Sequence, residues 1–243
     1  MQLFFTPDIE SGFYTLSEEE SHHCVKVMRL AVGDQISATD GRGSLCRCSI
    51  VEAHPKRCLV QVDERIEDYG RHAFRLHVAV APTKNTARME WFVEKAVEMG
   101  IDEITPILCD HSERCVLRQD RLQKIAVSAM KQSLKTFLPH INPLTPLSEL
   151  IDSFSTPKGD KSSPIADTQP FIAYCDGDHR TPLHDIYRPG QNALILIGPE
   201  GDFSQKEIAH ALNAGFLPVT LGQYRLRTET AALAATAYLN LVN

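Results

Sequence analysis

Nothing in this chain of 243 residues approaches the run of roughly 20 apolar residues that a membrane span needs, so no membrane association is expected. The opening MQLFFTPDIE has neither a basic leader nor a small-residue cleavage site, which argues against a signal peptide and for a cytoplasmic protein. Several catalytic templates are missing as well. There is no G-x-x-x-x-G-K-[ST] phosphate loop, no G-x-G-x-x-G, no G-x-S-x-G elbow and no H-E-x-x-H. The seven cysteines (Cys24, Cys46, Cys48, Cys58, Cys109, Cys115 and Cys175) fall at no zinc-ligand spacing, and His22-His23-Cys24 has no partner cluster. Reduced thiols and no metal site are therefore expected.

Positive charge is also scarce overall, with a formal balance of −6. Its distribution is uneven. Residues 1–70 carry 7 basic and 12 acidic side chains, residues 71–138 carry 11 and 8, and residues 139–243 carry 7 and 11. A local basic patch in the middle third can engage phosphates while the whole chain stays acidic.

What is present in strength is the stretch from Leu194 to Ala235, LILIGPEGDFSQKEIAHALNAGFLPVTLGQYRLRTETAALAA. It reads as strand, glycine loop, helix, strand, glycine loop, helix. Leu194 to Ile197 is a short buried-strand run, and Gly198-Pro199-Glu200-Gly201 turns it. Ser204 and Glu207 have capping-box spacing, and Gly215 stops that helix. Val219 to Leu221 is a second strand, turned at Gly222, and Thr228 opens an Ala-rich final helix. Two such loops leaving two neighbouring strands would form a crevice at the strands' carboxyl ends, where open α/β sheets bind ligands. The alternative is a pair of ordinary turns.

Residues 1–70 are expected to form a small β-rich unit. Leu3-Phe4-Phe5 is a strand. A capping box at Ser17 and Glu20 opens a short helix that ends near Leu30. Gln35 to Thr39, Ser44 to Glu52 and Cys58 to Asp63 alternate apolar and polar residues, with a hairpin turn at Asp40-Gly41-Arg42-Gly43. A compact barrel follows, of a kind that often presents a face to oligonucleotides.

The boundary is placed at Glu67 to Gly70. Beyond it, RLHVAVAP is a strand, Lys84 to Arg88 a polar link, and a helix runs on to Gly100 before a strand at Ile104 to Leu108. This is a strand–helix–strand unit with a parallel sheet. Arg118 to Leu138 has apolar residues at spacings of three and four and is ended by Pro139, which predicts one long helix. Its Arg118, Arg121, Lys124, Lys131, Gln132 and Lys135 lie mainly off the apolar stripe. They form a candidate phosphate-contacting face with Arg114, or else a merely solvated one. Residues 153–170 are rich in Ser, Thr, Pro and charge and read as a surface insertion. Phe171 to Cys175 is another short strand, turned at Asp176-Gly177-Asp178.

Three glycine-turned strand ends, with Arg and Glu but no clear nucleophile, suit a flat heterocycle held largely by backbone groups. Such a site favours a cofactor that carries the difficult chemistry itself.

GPEGDFS followed by LGQYRLRTETA resembles the RsmE-like branch of the SPOUT methyltransferases, whose stretches usually read GPEGGF and LG-x-x-I-L-R-T-E-T-A. The resemblance extends to KAVEMG (Lys95 to Gly100), KQSLKTFLP (Lys131 to Pro139) and HHCVKVMRL (His22 to Leu30). It implies an α/β fold in which a PUA-like β-barrel at 1–70 binds RNA and residues 71–243 form a SPOUT-type parallel sheet with a trefoil knot. It implies a homodimer acting on the 16S rRNA of the small ribosomal subunit. The reaction would be methylation of N3 of a decoding-region uridine, with S-adenosyl-L-methionine as donor and S-adenosyl-L-homocysteine as product. Other RNA substrates, or a non-catalytic RNA-binding role, are the alternatives.

Carried over by motif, the donor pocket would comprise Cys175, Gly177, Ile197, Gly198, Pro199, Glu200, Gly201, Leu221, Gly222, Leu226, Thr228, Thr230 and Ala231. RNA contacts would come from Lys26, Arg29, Arg114, Arg118, Arg121, Lys131, Gln132, Lys135 and Arg225. Asp202 stands where the second glycine of GPEGG is usual, and Gln223-Tyr224-Arg225 where a basic pair and Ile are frequent. Uridine N3 becomes a good nucleophile only as its proton leaves, which calls for a base or a positive charge that stabilises the developing anion. Arg227 is the candidate for the second task, and Glu200 and Glu229 for the first. Capping of the last helix, or a pair with Arg227, is an equally open role for Glu229.

Overall fold

The computed structural model describes residues 2–154, 167–175 and 181–243. They form two units, one of residues 1–71 with 127–138, the other of residues 72–126 with 139–243. The return of 127–138 to the first unit is not announced by any break in the sequence.

In the first unit, β1 (Leu3–Phe5), β2 (Gly12–Thr15), β3 (Gln35–Thr39), β4 (Leu45–Glu52) and β5 (Leu59–Ile66) form one sheet in the order β1-β3-β4-β5-β2. β1 runs parallel to β3, and the other pairs are antiparallel. Cys46 and Cys48 share the inner face with Ile36, Ala38 and Ile50, so the alternation of β4 is that of a half-buried strand. Burial pushes the Cys48 thiol up to about 12, which leaves it an inert apolar group.

The first helix, α1 (Glu18–His22), continues as a π-helical turn over His23–Val27. Its capping box is only half made. Ser17 Oγ accepts from the Glu20 N–H at 3.2 Å, but the Glu20 carboxylate turns away and takes Lys131 Nζ at 2.5 Å.

The second unit carries β6 (Leu76–Val80), α2 (Thr86–Met99) and β7 (Glu103–Leu108), with a cap supplied by Asn85, inside what reads as a polar link. Asn85 accepts from the Ala87 N–H, and Gly100 closes the helix at φ 96.

α3 covers Gln119–Gln132 and stops short of the expected Leu138. The Lys135 N–H reaches back to the Met130 carbonyl while Leu134 adopts φ 58, a left-handed ending. Residues beyond it then pair with the hairpin turn, Gly43 N–H to Thr136 O at 2.9 Å and Leu138 N–H to Gly41 O at 2.8 Å. A Cβ at Gly43 would stand 2.3 Å from the Phe137 ring, so a glycine there is what admits the segment. Phe137 continues the apolar period of the helix but packs on Gly43 of the hairpin turn.

β8 (His140–Ile141), β9 (Thr145–Pro146), α4 (Leu147–Phe154) and β10 (Thr168–Ala173) follow, so the ends of the expected 153–170 insertion belong to a helix and a strand. The chain continues through β11 (Thr181–Pro182), α5 (Leu183–Ile186), β12 (Asn192–Ile197), α6 (Gln205–Asn213), β13 (Leu217–Thr220) and α7 (Thr228–Leu241). The parallel sheet runs β11-β13-β10-β12-β6-β7-β8, with β9 beside β7. Its central strands are buried along their length, as sheets covered on both faces require. β12 and β13 are not neighbours: β10 lies between them and pairs with both. Three strand ends, rather than two, therefore frame the crevice.

Candidate active site

The carboxyl ends of β10, β12 and β13 open into a cleft with two lobes. One, of about 300 Å³, is lined by Ile197 to Glu200, Asp202 and Arg225 to Thr228. The other, of about 360 Å³, is lined by Tyr174 and by Val219 through Leu226. Ala173, Cys175, Arg225, Leu226 and Ala231 belong to both, so the lobes are continuous.

Two glycines shape the loops of the cleft. At Gly198 a Cβ would meet the Phe203 ring at 3.1 Å, so the loop can lie against that ring only without a side chain. Gly222 adopts φ 134 with open space around it, a conformation L side chains rarely take. The buried Thr228 hydroxyl donates to the Gly198 carbonyl at 3.0 Å and fastens one glycine loop to the start of α7. The capping box of α6 is complete, with Ser204 and Glu207 bonded reciprocally.

Asp202 takes the left-handed backbone that a glycine would suit, at φ 64. Its carboxylate accepts the Cys175 N–H at 2.7 Å and its neighbour Phe203's N–H at 2.9 Å. His111 Nδ1 lies 3.1 and 3.0 Å from the carbonyls of Gly201 and Asp202, so that nitrogen carries the proton.

Of the residues anticipated for the donor pocket, Cys175, Ile197, Gly198, Pro199, Glu200, Leu226, Thr228 and Ala231 line the first lobe. Leu221 and Gly222 line the second. Gly201 is instead packed on His111, whose Cβ would stand 3.0 Å from an added Cβ, and Thr230 is exposed and lines neither lobe. Gly177 falls outside the described residues. Ala173, Tyr174 and Asp202 complete the walls without having been singled out for it.

The three candidate catalytic residues part company. Arg227 is exposed at the cleft wall and its side chain makes no hydrogen bond or ion pair among the described residues. Glu200 lends Oε1 to the Lys84 N–H at 3.0 Å, which ties the turn to the loop after β6. Glu229 is buried, lies 3.6 Å from Arg88 rather than beside Arg227, and keeps Oε2 without a hydrogen-bond partner. It lines neither lobe.

The candidate RNA-binding residues divide between the two units. Lys26, Arg29, Lys131, Gln132 and Lys135 belong to the first, and Arg114, Arg118, Arg121 and Arg225 to the second. Lys26 and Arg29 are exposed, with no side-chain partner among the described residues, and Arg29 has φ 58. Lys131 is spent on Glu20. Arg121 pairs with Glu90 at 2.6 Å and Arg118 with Asp120 at 3.2 Å. Arg114 donates twice to the Lys84 carbonyl, and Arg225 donates to the Glu200 carbonyl at 3.3 Å. Among the described residues no cluster of His, Cys, Asp and Glu could hold a metal ion, and no helix is long and apolar enough to cross a membrane.

A family model described as an RNA methyltransferase domain matches residues 71–240, and an RNA methyltransferase PUA domain matches residues 16–63. The chain belongs to this RNA methyltransferase family. Its structure is similar to the crystal structure of a probable rRNA-methyltransferase from Porphyromonas gingivalis, at 43% identity and a TM-score of 0.90, covering 100% of this chain and 98% of that one. It is also similar to a ribosomal RNA small subunit methyltransferase E from Neisseria gonorrhoeae, crystallised with S-adenosyl methionine, at 27% identity and a TM-score of 0.84 over 99% and 97% of the two chains. A ribosomal RNA small subunit methyltransferase E from Mesomycoplasma hyopneumoniae is 26% identical over 96% of this chain and 96% of its own length. The likeness read from GPEG and LRTETA is thus borne out, as is a methyltransferase with a parallel sheet and a small N-terminal β domain.

Proposed function

We propose that this RNA methyltransferase transfers a methyl group from S-adenosyl-L-methionine to N3 of a uridine in the decoding region of 16S rRNA. The observation that carries the reading is the cleft at three strand ends, shaped by its glycine loops and bearing the guanidinium of Arg227, which has no partner among the described residues. The relatives named as small subunit methyltransferases, one of them crystallised with the donor, support it.

A pocket of several hundred Å³ that mixes apolar walls with charged and polar side chains suits an adenosine moiety carrying a charged tail. Gly198, Pro199, Leu221, Gly222 and Leu226 would hold the heterocycle, and Ala231 would close the floor where the two lobes meet. The donor, when bound, supplies a methyl group activated on a sulfonium. Everything else falls to the chain: holding the acceptor in line and making N3 a nucleophile. Arg227, exposed and unpaired, stabilises the anion that develops as the N3 proton departs. Glu200 has one carboxylate oxygen committed to Lys84 and stands at the cleft wall as the candidate acceptor for that proton. Glu229, out of the cleft and paired with Arg88, acts as a support for the start of α7.

The rest of the reading is a cytoplasmic homodimer whose C-terminal part is tied in a trefoil knot. Its N-terminal domain contacts RNA through Lys26 and Arg29, with Gln132, Lys135 and Arg225 as further contacts. One assay tests the whole: incubation with labelled donor and either deproteinised 16S rRNA or assembled small subunits, followed by identification of the methylated base. 3-Methyluridine at a single decoding-region site is the expected product. A different base, or label in neither RNA, overturns the reading.

A further inference from the structure

The Asp202 carboxylate is an unusual group for this cleft. It lines the first lobe beside Glu200, Arg225 and Arg227, but where those three are exposed it is half-buried, and it has no ion-pair partner among the described residues. Both of its oxygens are engaged, one by the N–H of Cys175 at the exit of β10 and one by the N–H of Phe203. Two N–H donors fix the position of the carboxylate. The left-handed backbone, φ 64, is one that an L residue adopts at a cost which glycine avoids. A side chain retained there does something a hydrogen atom cannot.

It does two things. By gripping the Cys175 amide it fastens the end of β10 to the GPEG turn, so that two of the three strand ends framing the cleft are held together. It also places a fixed negative charge in the wall.

We infer that Asp202 sets the preference of the cleft for the charged methyl donor over its spent product. This rests on the donor-pocket reading above. In methyl transfer the sulfonium carbon–sulfur bond breaks, its electron pair stays on sulfur, and a neutral thioether remains. The positive charge leaves with the methyl group and is discharged as the N3 proton departs. A carboxylate in a partly desolvated wall attracts the cationic donor and not the neutral thioether, so it favours loading and speeds release. Arg225 and Arg227 line the same lobe and oppose that attraction, and Glu200 adds to it, but all three are exposed, whereas the Asp202 carboxylate is half-buried and anchored by two N–H groups.

The test is calorimetric titration of the full-length protein with S-adenosyl-L-methionine, S-adenosyl-L-homocysteine and sinefungin. Sinefungin carries an ammonium in place of the sulfonium and should therefore behave as the donor does. In Asp202→Asn the preference for each cationic ligand over the thioether is expected to fall about tenfold. Asp202→Gly, which relieves the backbone and removes the latch, should lower all three affinities and show the same loss of preference. It carries the test if the Asn variant does not fold. Equal weakening of all three ligands in both variants would mean that Asp202 is only a latch and would overturn the inference. Wild-type protein that binds none of the three removes the donor-pocket reading itself, a distinct outcome from binding with an unchanged preference.

Discussion

The Thr228 hydroxyl donates to the Gly198 carbonyl across 3.0 Å of buried space, joining the last helix to the first glycine loop of the cleft. Both residues are buried, Thr228 at 5% exposure. Replacing it with valine keeps the shape and orphans the carbonyl. Thr228→Val is expected to cost about 1–3 kcal/mol in urea unfolding and to weaken donor binding, whereas Thr228→Ser retains both. Unchanged affinity in the valine variant would show that the loop is held by other contacts.

The cleft was legible in the sequence because its parts are local strings: GPEG, Ser204 with Glu207, and LRTETA each lie within a few residues of one another. What those strings do not encode is pairing. Every central strand is a short apolar run, and nothing in Leu194 to Ile197 or Val219 to Leu221 distinguishes one parallel neighbour from another. The insertion of β10 between them was therefore out of reach. The partner of Glu229 was hidden for a similar reason, since Arg88 lies far upstream in the chain. The end of α3 was not legible because Phe137 keeps the helical period while packing on Gly43 of the hairpin turn, and period alone does not report where a helix stops. Asp202 was visible as a departure from the family pattern. Its bond to the Cys175 amide was not.

Lys131 separates a structural role from a substrate-binding one. Its ammonium meets Glu20 at 2.5 Å, with side-chain exposures of 23% and 9%, and the other Glu20 oxygen is buried without a partner. Removing the cation leaves an uncompensated buried charge. Lys131→Met is expected to destabilise the protein by about 3–5 kcal/mol in denaturant titration, and Glu20→Gln in the same chain to restore part of that. A Lys131→Met protein of normal stability but reduced RNA affinity would instead place the lysine on phosphate.

His77 gives the pH dependence a sign. Burial pushes its imidazole down to about 4, against the nearby pull of Glu103, while Arg75 and His140 add to the depression. Its Nε2 lies 2.7 Å from the Thr105 hydroxyl. Because the folded value lies below the unfolded one, the neutral form is favoured by folding. Its contribution is complete above pH about 6.5 and is lost as the pH falls toward 4, amounting to about 3 kcal/mol. Urea midpoints measured from pH 7 to 4.5 should decline over that window, and His77→Gln should flatten the decline. A variant with the same acid limb as the wild type would assign it to other groups.

Arg227 carries the most direct test of mechanism. Its guanidinium is exposed at the cleft wall, and no carboxylate among the described residues holds it, so its substitution removes no structural contact. If it stabilises the uridine anion only as the N3 proton leaves, its loss raises the barrier without changing ground-state binding of the donor. Arg227→Ala is expected to lower methylation of small-subunit RNA by about 10²–10³-fold, the range seen when one preorganised donor to a developing oxyanion is removed. Affinity for S-adenosyl-L-homocysteine and the unfolding midpoint should stay at wild-type values. Raising the pH should recover part of the lost rate, because a uridine already deprotonated in solution needs less help. A variant that loses product affinity in proportion to rate would move Arg227 from the acceptor to the donor side of the cleft, and one with near-normal turnover would remove it from the reaction.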